Sequence, residues 1–279
     1  MGEVMPYDYT NELKKVKDYY AGDPLQKRFS ALVTGETNAG KTYLLRTARK
    51  PVHVDSFDPG GTKCLKDLID SGDIIADTQW EADDPFNPDR FAAWMKAIDI
   101  RFQIGYFNHF GTYCLDSATT FGEAVMAYGL AGMNRAGEVP QHRKDYNPQK
   151  VHMTNYIKKL MRLPCDFILT GHLREIEEIK YIDTKTGIVT KDIKYRFYTT
   201  GQAVVTIPLL FDEIYVITGK SQGEGRDPKR TMLIDSLGKY IARSRLKQAG
   251  KLNAEEPPDI KALLRKAGYD PSDKPKLEL

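Results

Sequence analysis

Eight consecutive residues combine two glycines, a lysine and a hydroxyl at the spacing of a phosphate-binding loop. The run Gly35–Thr42 fits G-x-x-x-x-G-K-[ST], in which backbone N–H groups surround the phosphates of a nucleoside triphosphate. The glycines permit backbone angles and a close approach that a Cβ atom would prevent. Lys41 is expected to reach the β- and γ-phosphates, and the Thr42 hydroxyl to bind Mg²⁺. The residues predicted to hold ATP are Gly35, Glu36, Thr37, Asn38, Ala39, Gly40, Lys41 and Thr42.

The elements around this loop alternate as in an α/β protein. The apolar run 29–34 predicts a strand that enters the loop, and 42–48 predicts a helix that leaves it, with its N-terminal dipole facing the phosphates. Strands that alternate with helices predict a mainly parallel sheet with helices on its faces. Ligands of such sheets bind beyond the carboxyl ends of the strands, where this loop falls. Further strands are predicted at 52–58, 73–77, 111–115 and 165–170, and further helices at 63–70 and 89–106.

After residue 173 the pattern predicts a β-hairpin and antiparallel strands. Residues 175–183 and 188–198 flank Thr184–Gly187, a connection whose glycine suits a left-handed turn position. Two more strands are predicted at 213–218 and 231–234, and a short helix at 258–267 on a tail that follows a linker. The predicted domains are an N-terminal helical extension at 1–27 with its helix at 10–20, an ATPase domain at 28–249, and a C-terminal linker and short helix at 250–279.

An acidic residue closes the predicted strand 111–115. Asp116 follows it directly, and Ser117 comes next. In nucleotide-hydrolysing P-loop proteins, a carboxylate at the end of a nearby strand helps to hold Mg²⁺. We therefore expect Thr42 and Asp116 to form a magnesium site beside the phosphate loop.

Five short motifs follow one another along the chain: Gly35–Thr42, Leu115–Ser117, Leu169–His172, Leu210–Glu213 and Tyr240–Arg245. In this order they resemble a family of phage-encoded RecA-like ATPases, whose members include single-strand-annealing recombination proteins. The first two motifs are specific for P-loop ATPases, and the other three indicate this family only through their order. The resemblance covers about 28–247 and implies a RecA-like P-loop NTPase core.

This resemblance implies further catalytic residues. RecA-like proteins place a polar sensor of the γ-phosphate just past a strand end, where His172 stands. They also use a basic pair from a neighbouring subunit as an arginine finger, which corresponds to Arg243 and Arg245. Their water-orienting glutamate after the second strand is missing here. Asp58 is the favoured substitute and Asp55 the alternate, and the shorter side chain points to hydrolysis that is slow or stimulated by DNA.

The resemblance also implies partners. Single-stranded DNA, further copies of the chain in a homo-oligomer, and a single-strand-binding protein are the expected ones. RecA-like proteins bind DNA through loops that correspond to 131–150 and to the hairpin, and cations beside aromatic residues suit single strands because bases stack on the rings. Between 175 and 198 the hairpin holds five acidic against five basic residues, so the first segment is favoured. The candidate contacts are Arg135, Arg143, Lys144, Tyr146 and Lys150 in the first segment and Lys185, Lys191, Lys194 and Arg196 in the hairpin.

Composition and the length of the apolar stretches indicate where in the cell the protein is expected. Apolar residues make up 41% and charged residues 28% of the sequence, which suits a soluble protein with a sizeable core. The longest apolar stretch, 203–211, is too short to cross a bilayer. We therefore expect no membrane association and a cytoplasmic location, in the host cytoplasm if the chain is phage-encoded. The three cysteines show no metal-type spacing, which predicts no structural metal, and Cys114 and Cys165 lie in apolar strand-like runs that predict buried, reduced thiols.

Other functions stay open at the level of sequence. A nucleotide-gated binding module that scarcely hydrolyses ATP and scaffolds replication proteins agrees with the missing glutamate. A helicase or packaging motor is disfavoured because 279 residues leave little room for an accessory translocation or nuclease domain. A small-molecule kinase would share the phosphate loop but would give Arg243 and Arg245 no role.

Overall fold

The structure is a computed structural model that describes residues 9–23, 26–141, 143–182, 189–199, 203–220, 228–249 and 251–278. Its described part is a β-sheet with helices packed on both faces. The predicted α/β class, with a mainly parallel sheet, is confirmed, and the architecture fits a RecA-like core. The predicted turn Thr184–Gly187, with its Lys185, lies outside the described residues.

The described elements follow the predicted alternation. The helices are α1 (Tyr9–Gly22), α2 (Lys66–Asp70), α3 (Arg90–Gln103), α4 (Ala118–Ala131), α5 (Tyr146–Leu160), α6 (Ala203–Leu210) and α7 (Ile260–Ala267). The strands are β1 (Ser30–Gly35), β2 (Val52–Ser56), β3 (Ile74–Asp77), β4 (Thr112–Asp116), β5 (Asp166–Ile182), β6 (Val189–Phe197), β7 (Glu213–Lys220), β8 (Lys229–Leu233), β9 (Arg243–Ser244) and β10 (Glu255–Glu256). Short 3₁₀ turns lie at Tyr43–Thr47, Gly61–Leu65, Tyr106–His109, Arg143–Asp145 and Leu246–Ala249.

Six parallel strands form the centre of the sheet, in the order β7-β1-β5-β4-β2-β3. Antiparallel β8 and then β10 extend it beyond β7, while β9 pairs with the start of β7. Strand β5 separates β1, which enters the phosphate loop, from β4, which ends at Asp116. Side chains at the end of the β5 part that pairs with β1, Thr170 to His172, therefore lie between the two nucleotide motifs.

Strand β5 is one continuous element where two were predicted. Its first part pairs with β1 and β4, and its second part forms the hairpin with β6. Gly171 stands at the transition, where a Cβ atom would lie 2.5 Å from the ring of Phe197 on β6. Glycine is required here because β6 folds back so closely.

Two apolar cores flank the sheet. Helices α3 to α6 cover one face, where Trp94 and Phe121 pack edge to face with ring centroids 4.9 Å apart. The helical spacing that predicted α3 is confirmed, because Phe91, Trp94 and Ile98 are all buried. On the other face, Leu44 packs in the same cluster as the buried residues of α7, which are Ile260, Leu263 and Leu264.

The helix predicted after the phosphate loop is shorter than expected. Only a 3₁₀ turn forms, over Tyr43–Thr47, and Ala48 is already extended. The next residue, Arg49, donates from Nε to the buried carboxylate of Asp166 at 2.6 Å. This ion pair requires the chain to leave the helical path, so tertiary contacts override the local helical pattern.

The two ends of the chain differ in how they pack. Helix α1 is present where a helix was predicted, and it buries none of its residues. Residues 251–278, by contrast, pack on the core instead of forming a tail after a linker, since β10 joins the sheet and Leu263 of α7 is buried. Asp259 caps α7 by accepting from the Ala262 N–H at 2.9 Å, and Gly268 ends it with φ 85°.

The apolar stretch 203–211 contains helix α6, of eight residues. Among the helices that the structure describes, none combines the length and the apolar character needed to span a membrane.

Candidate nucleotide-binding site

The phosphate loop is shaped by close backbone packing and left-handed residues. A Cβ atom on Gly35 would lie 2.8 Å from the carbonyl oxygen of Ile217 on β7, so the close approach predicted for this glycine is confirmed. Gly40 has φ +100° and Asn38 has φ 63°, angles that glycine and asparagine adopt most readily. Of the remaining loop positions, Ala39 is buried in the core and Glu36 is exposed.

Lys41 lies inside the loop that it belongs to. Its Nζ donates to the carbonyl oxygens of Gly35 at 3.2 Å and Glu36 at 2.9 Å, and the residue is only 7% exposed. Burial lowers the pKa of this ammonium, while Asp116 and Asp58 act to raise it. The lysine is therefore a partly desolvated cation, whose attraction to a bound phosphate is screened little by water.

Thr42 and Asp116 meet as predicted from the two nucleotide motifs. The Thr42 hydroxyl donates to Oδ2 of Asp116 at 2.7 Å, and the Thr170 hydroxyl of β5 donates to Oδ1. Asp116 is 1% exposed, and burial raises its pKa, with the Asp58 charge adding to the rise. A hydroxyl and an under-compensated carboxylate side by side fit Mg²⁺, which binds oxygen ligands and would favour the ionised form.

Asp58 is held rigidly at the edge of the same site. Its Oδ1 accepts from Ser117 at 2.9 Å and from Thr120 at 2.5 Å, and the side chain is 23% exposed. Burial acts to raise the pKa of Asp58, but hydrogen bonds from His172, Thr120 and Ser117 outweigh it and hold the pKa below its ordinary value. The carboxylate is therefore ionised at neutral pH.

Glu81 positions the turn that carries Asp58, a role that sequence reasoning missed. Its two carboxylate oxygens accept from the Ser56 hydroxyl at 2.7 Å and from the Gly60 N–H at 2.9 Å. The glutamate reaches the end of β2 from the segment after β3, so no spacing along the chain could have shown it. Because both oxygens are occupied, Glu81 acts on the position of the turn.

His172 lies at the carboxyl end of the β5 segment that pairs with β1. It is in register with Gly35, the first residue of the phosphate loop, and its Nε2 is 3.7 Å from Oδ2 of Asp58. Its carbonyl oxygen accepts from the N–H of Tyr198, just beyond β6. The histidine at the position predicted for a phosphate sensor thus lies beside Asp58 of the nucleotide site and is hydrogen-bonded to Tyr198.

Lys41, Thr42, Asp58 and His172 line one cavity of about 830 Å³, within the size range of small-molecule sites, and Asp116 lies buried behind Thr42. Two cations that the sequence analysis missed line it, Lys63 and Arg230. The sequence did not indicate that Arg230 lies at the phosphate loop, because the two are distant along the chain and meet only in the fold. The cavity is lined by Thr37, Asn38, Gly40, Lys41, Thr42, Tyr43, Asp58, Pro59, Gly60, Gly61, Lys63, Cys64, His172 and Arg230.

Comparison with known families agrees with this geometry. A family model described as an AAA domain matches residues 27–246, which is most of the chain. The chain belongs to this family. It is a P-loop ATPase domain, and both nucleotide motifs lie inside the matched region. A comparison with curated proteins finds no match.

Two solved ATPases are similar to part of the chain. One, from the type III secretion system of pathogenic bacteria, is 16% identical, covers 68% of this chain and 52% of its own, and has a TM-score of 0.43. The other, EscN from enteropathogenic E. coli in complex with its central stalk EscO, is 17% identical, covers 78% and 47%, and has a TM-score of 0.45. The chain spans about half the length of these structures, and likeness this low carries no information about activity or partners.

The basic pair of this AAA domain is bonded within the chain. The Arg243 guanidinium donates to the carbonyl oxygens of Pro208 at 3.2 Å and Phe211 at 2.7 Å, at the carboxyl end of α6. Arg245 pairs with Asp212 at 2.7 Å on an exposed surface. Neither arginine lines the nucleotide cavity, so the arginine-finger role stays a prediction that requires a neighbouring subunit.

Asp55, the alternate water-orienting residue, is committed to a buried polar cluster of the AAA domain. It is fully buried and accepts from the indole N–H groups of Trp80 at 3.2 Å and Trp94 at 2.8 Å. Arg101 donates to Asp55 at 2.9 Å and also to Asp77. The arginine charge lies where a cation shared by the two carboxylates would lie, and Asp55 does not line the nucleotide cavity.

The two candidate DNA segments differ in how they are held. Arg135, in the first segment, pairs with Glu138 at 2.6 Å and Asp145 at 2.9 Å. In the hairpin, the ring of Tyr195 stacks on Tyr240 with centroids 5.2 Å apart.

Two of the three cysteines, Cys114 and Cys165, are buried free thiols as predicted, and Cys64 is exposed at the nucleotide cavity.

Proposed function

We propose that the chain binds Mg·ATP in this cavity and hydrolyses it slowly. The observation that carries the proposal is the direct contact between Thr42 and Asp116 beside Lys41, with Asp58 at the edge of the same cavity. Each group has the chemistry that phosphoryl transfer to water requires, namely charge neutralisation, metal ligation and orientation of the nucleophile. Mg²⁺ supplies charge stabilisation at the phosphates when it is bound by Thr42 and Asp116.

Each residue of the site has a separate role, which its position determines. Lys41 and the loop N–H groups bind and orient the β- and γ-phosphates. Asp58, fixed by Ser117 and Thr120, presents its Oδ2 atom to the cavity and orients the attacking water. Because its pKa is held low, Asp58 is a weak base, which agrees with slow turnover. His172 lies beside this carboxylate and senses the terminal phosphate.

The finer part of the proposal is a role in DNA recombination or single-strand annealing, with the chain acting as an oligomer on single-stranded DNA. The family resemblance of the motifs supports it, including the resemblance to phage-encoded proteins. Strand β5 carries His172 and continues into the hairpin with β6. Tyr195 of β6 stacks on Tyr240, and Lys239 lies over the Tyr195 ring at 5.6 Å. Stacked rings beside cations suit unpaired bases, which favours the hairpin over the segment 131–150 as the DNA contact.

A second candidate function is a nucleotide-gated binding module that scarcely hydrolyses ATP. It is favoured by the short Asp58 side chain, whose Oδ1 is already bonded to two hydroxyls. The two functions differ in turnover and share nucleotide binding.

The test is phosphate release at saturating Mg·ATP, with and without single-stranded DNA, on the wild type and on Lys41→Ala. The recombination role predicts slow release that DNA accelerates and that Lys41→Ala abolishes. ATP binding without release, with or without DNA, would support the binding module. Unchanged ATP affinity in folded Lys41→Ala would contradict both functions.

A further inference from the structure

Arg230 lies against the phosphate loop although it stands far from it in sequence. Its Cδ and Nε atoms are each 3.1 Å from the position that a Cβ atom on Gly40 would occupy. It lines the nucleotide cavity together with Lys41, Asp58 and His172. The guanidinium is therefore within side-chain reach of any phosphate that the loop holds.

The sheet topology explains this placement. Arg230 is in register with Gly219 near the end of β7, and β7 runs parallel to β1. Because β8 is antiparallel to both, its first residues lie at the edge where β1 delivers the phosphate loop. An arginine at the start of β8 thus lies two strands from Gly35 and on the same edge of the sheet.

The guanidinium also has bonding capacity to spare. Within the described residues, no hydrogen bond or ion pair joins the Arg230 guanidinium to another group, whereas its backbone pairs with β7, and the residue is exposed. Arg243 and Arg245 differ, since both are bonded inside the chain. Arginine offers a planar set of N–H donors that match two oxygens of one phosphate.

We propose that Arg230 binds the terminal phosphate of ATP in the subunit that also supplies the phosphate loop. This inference rests on the proposed nucleotide site. It assigns within one chain the cation that the family resemblance placed on a neighbouring subunit. Contact with the γ-phosphate would make ATP, and not ADP, draw the start of β8 against Gly40.

The experiment compares affinities for a non-hydrolysable imido analogue of ATP and for ADP, both with Mg²⁺, by isothermal titration calorimetry. Arg230→Ala is expected to weaken binding of the ATP analogue about tenfold, the worth of one exposed charge-assisted contact. Affinity for ADP should change less than about threefold, because the contacted phosphate is missing. Lys229→Ala is the matched control: it removes the same charge from the neighbouring residue, which points to the opposite face of β8.

The outcomes separate this inference from the proposed function. Unchanged affinity for the ATP analogue in Arg230→Ala, or equal losses for the analogue and ADP, would overturn the assignment to the terminal phosphate. Failure of Lys41→Ala to weaken either nucleotide would instead overturn the nucleotide site itself. If Arg230→Ala unfolds, Arg230→Gln replaces it, since glutamine keeps much of the side-chain length and loses the charge; the same selective loss is expected.

Discussion

Replacing Asp58 by asparagine isolates the charge that faces the nucleotide cavity. Oδ1 of Asp58 accepts from the Ser117 and Thr120 hydroxyls, and an amide oxygen can accept the same two bonds. The Oδ2 atom, which faces His172 at 3.7 Å, becomes an NH₂ group. Asp58→Asn therefore removes the water-orienting carboxylate oxygen and leaves the turn that carries it in place.

The size of the effect follows from the environment of Asp58. Proton transfer or water orientation by a placed side chain contributes about 10²- to 10⁴-fold. Hydrogen bonds from His172, Thr120 and Ser117 hold the pKa of Asp58 low against the opposing effect of burial, so the carboxylate is a weak base. We therefore expect the lower end, a fall in turnover of about 100-fold, which is about 2.7 kcal/mol of activation free energy.

The assay is steady-state phosphate release at saturating Mg·ATP, combined with calorimetric ATP affinity. Turnover should fall while ATP affinity stays within about threefold of the wild type, because Asp58 contributes no phosphate contact. Asp70→Asn is the matched control, since it removes an exposed carboxylate paired with Lys66 outside the cavity. Wild-type turnover in Asp58→Asn, with ATP affinity also unchanged, would refute the role of Asp58.

Three further variants test the metal site, the buried cluster and the basic pair. Asp116→Asn should impair Mg²⁺-dependent hydrolysis more than nucleotide binding, because its charge acts through the metal; a wild-type rate in a magnesium titration would contradict this. Asp55→Asn should lower the free energy of unfolding by about 3–5 kcal/mol in urea denaturation, because Arg101 and Asp55 form a buried pair. The folded-state pKa of Asp55 is lowered by His53 and Arg101 against the opposing effect of burial, so its stabilisation is present above about pH 4 and is lost as the pH falls further; the gap between wild type and variant should shrink there. If Arg243 and Arg245 act on a neighbouring subunit, mixing Arg245→Ala with Lys41→Ala should restore some ATPase activity, and the rescue should weaken on dilution; no rescue in mixed oligomers, or wild-type turnover in Arg243→Ala and Arg245→Ala, would reject that role.

Sequence reasoning located the parts of the site that depend on local pattern. The phosphate loop is a contiguous motif whose two glycines predicted the left-handed angle at Gly40 and the close approach at Gly35, although the atom that Gly35 approaches belongs to β7. Asp116 was predicted from a strand end, and in parallel sheets all strand ends that carry ligands meet at one edge. The Thr42 hydroxyl accordingly lies 2.7 Å from Asp116, and the role of the two residues as magnesium ligands stays a prediction.

The rest of the site arises from contacts between distant segments. Glu81 reaches the Asp58 turn from beyond β3, and Arg230 reaches Gly40 from an antiparallel strand. Asp55 and Asp58 differ by only three positions, yet Asp55 is buried among indole N–H groups and Asp58 faces the cavity. Sequence analysis favoured Asp58 but kept Asp55 as the alternate, because the burial of Asp55 depends on where Trp80 and Trp94 pack.

The antiparallel strands β6 and β8 each pair with a strand that reaches the nucleotide site. Strand β5 brings Thr170 to Asp116 and His172 to Asp58 before it continues into the pairing with β6. Strand β8 brings Arg230 to Gly40 and is held by β7, which pairs with β1. A phosphate bound between His172 and Arg230 would therefore contact two residues. One directly precedes the β5–β6 pairing, and the other belongs to β8. A ligand shifts a conformational equilibrium only by its differential contacts with the two states, and under the roles proposed above these two side chains would supply such contacts for ATP over ADP. If ATP binds as proposed, its γ-phosphate would act directly on both strands, and the half-buried rings of Tyr195 and Tyr240 with the exposed Lys239 are the proposed DNA contact.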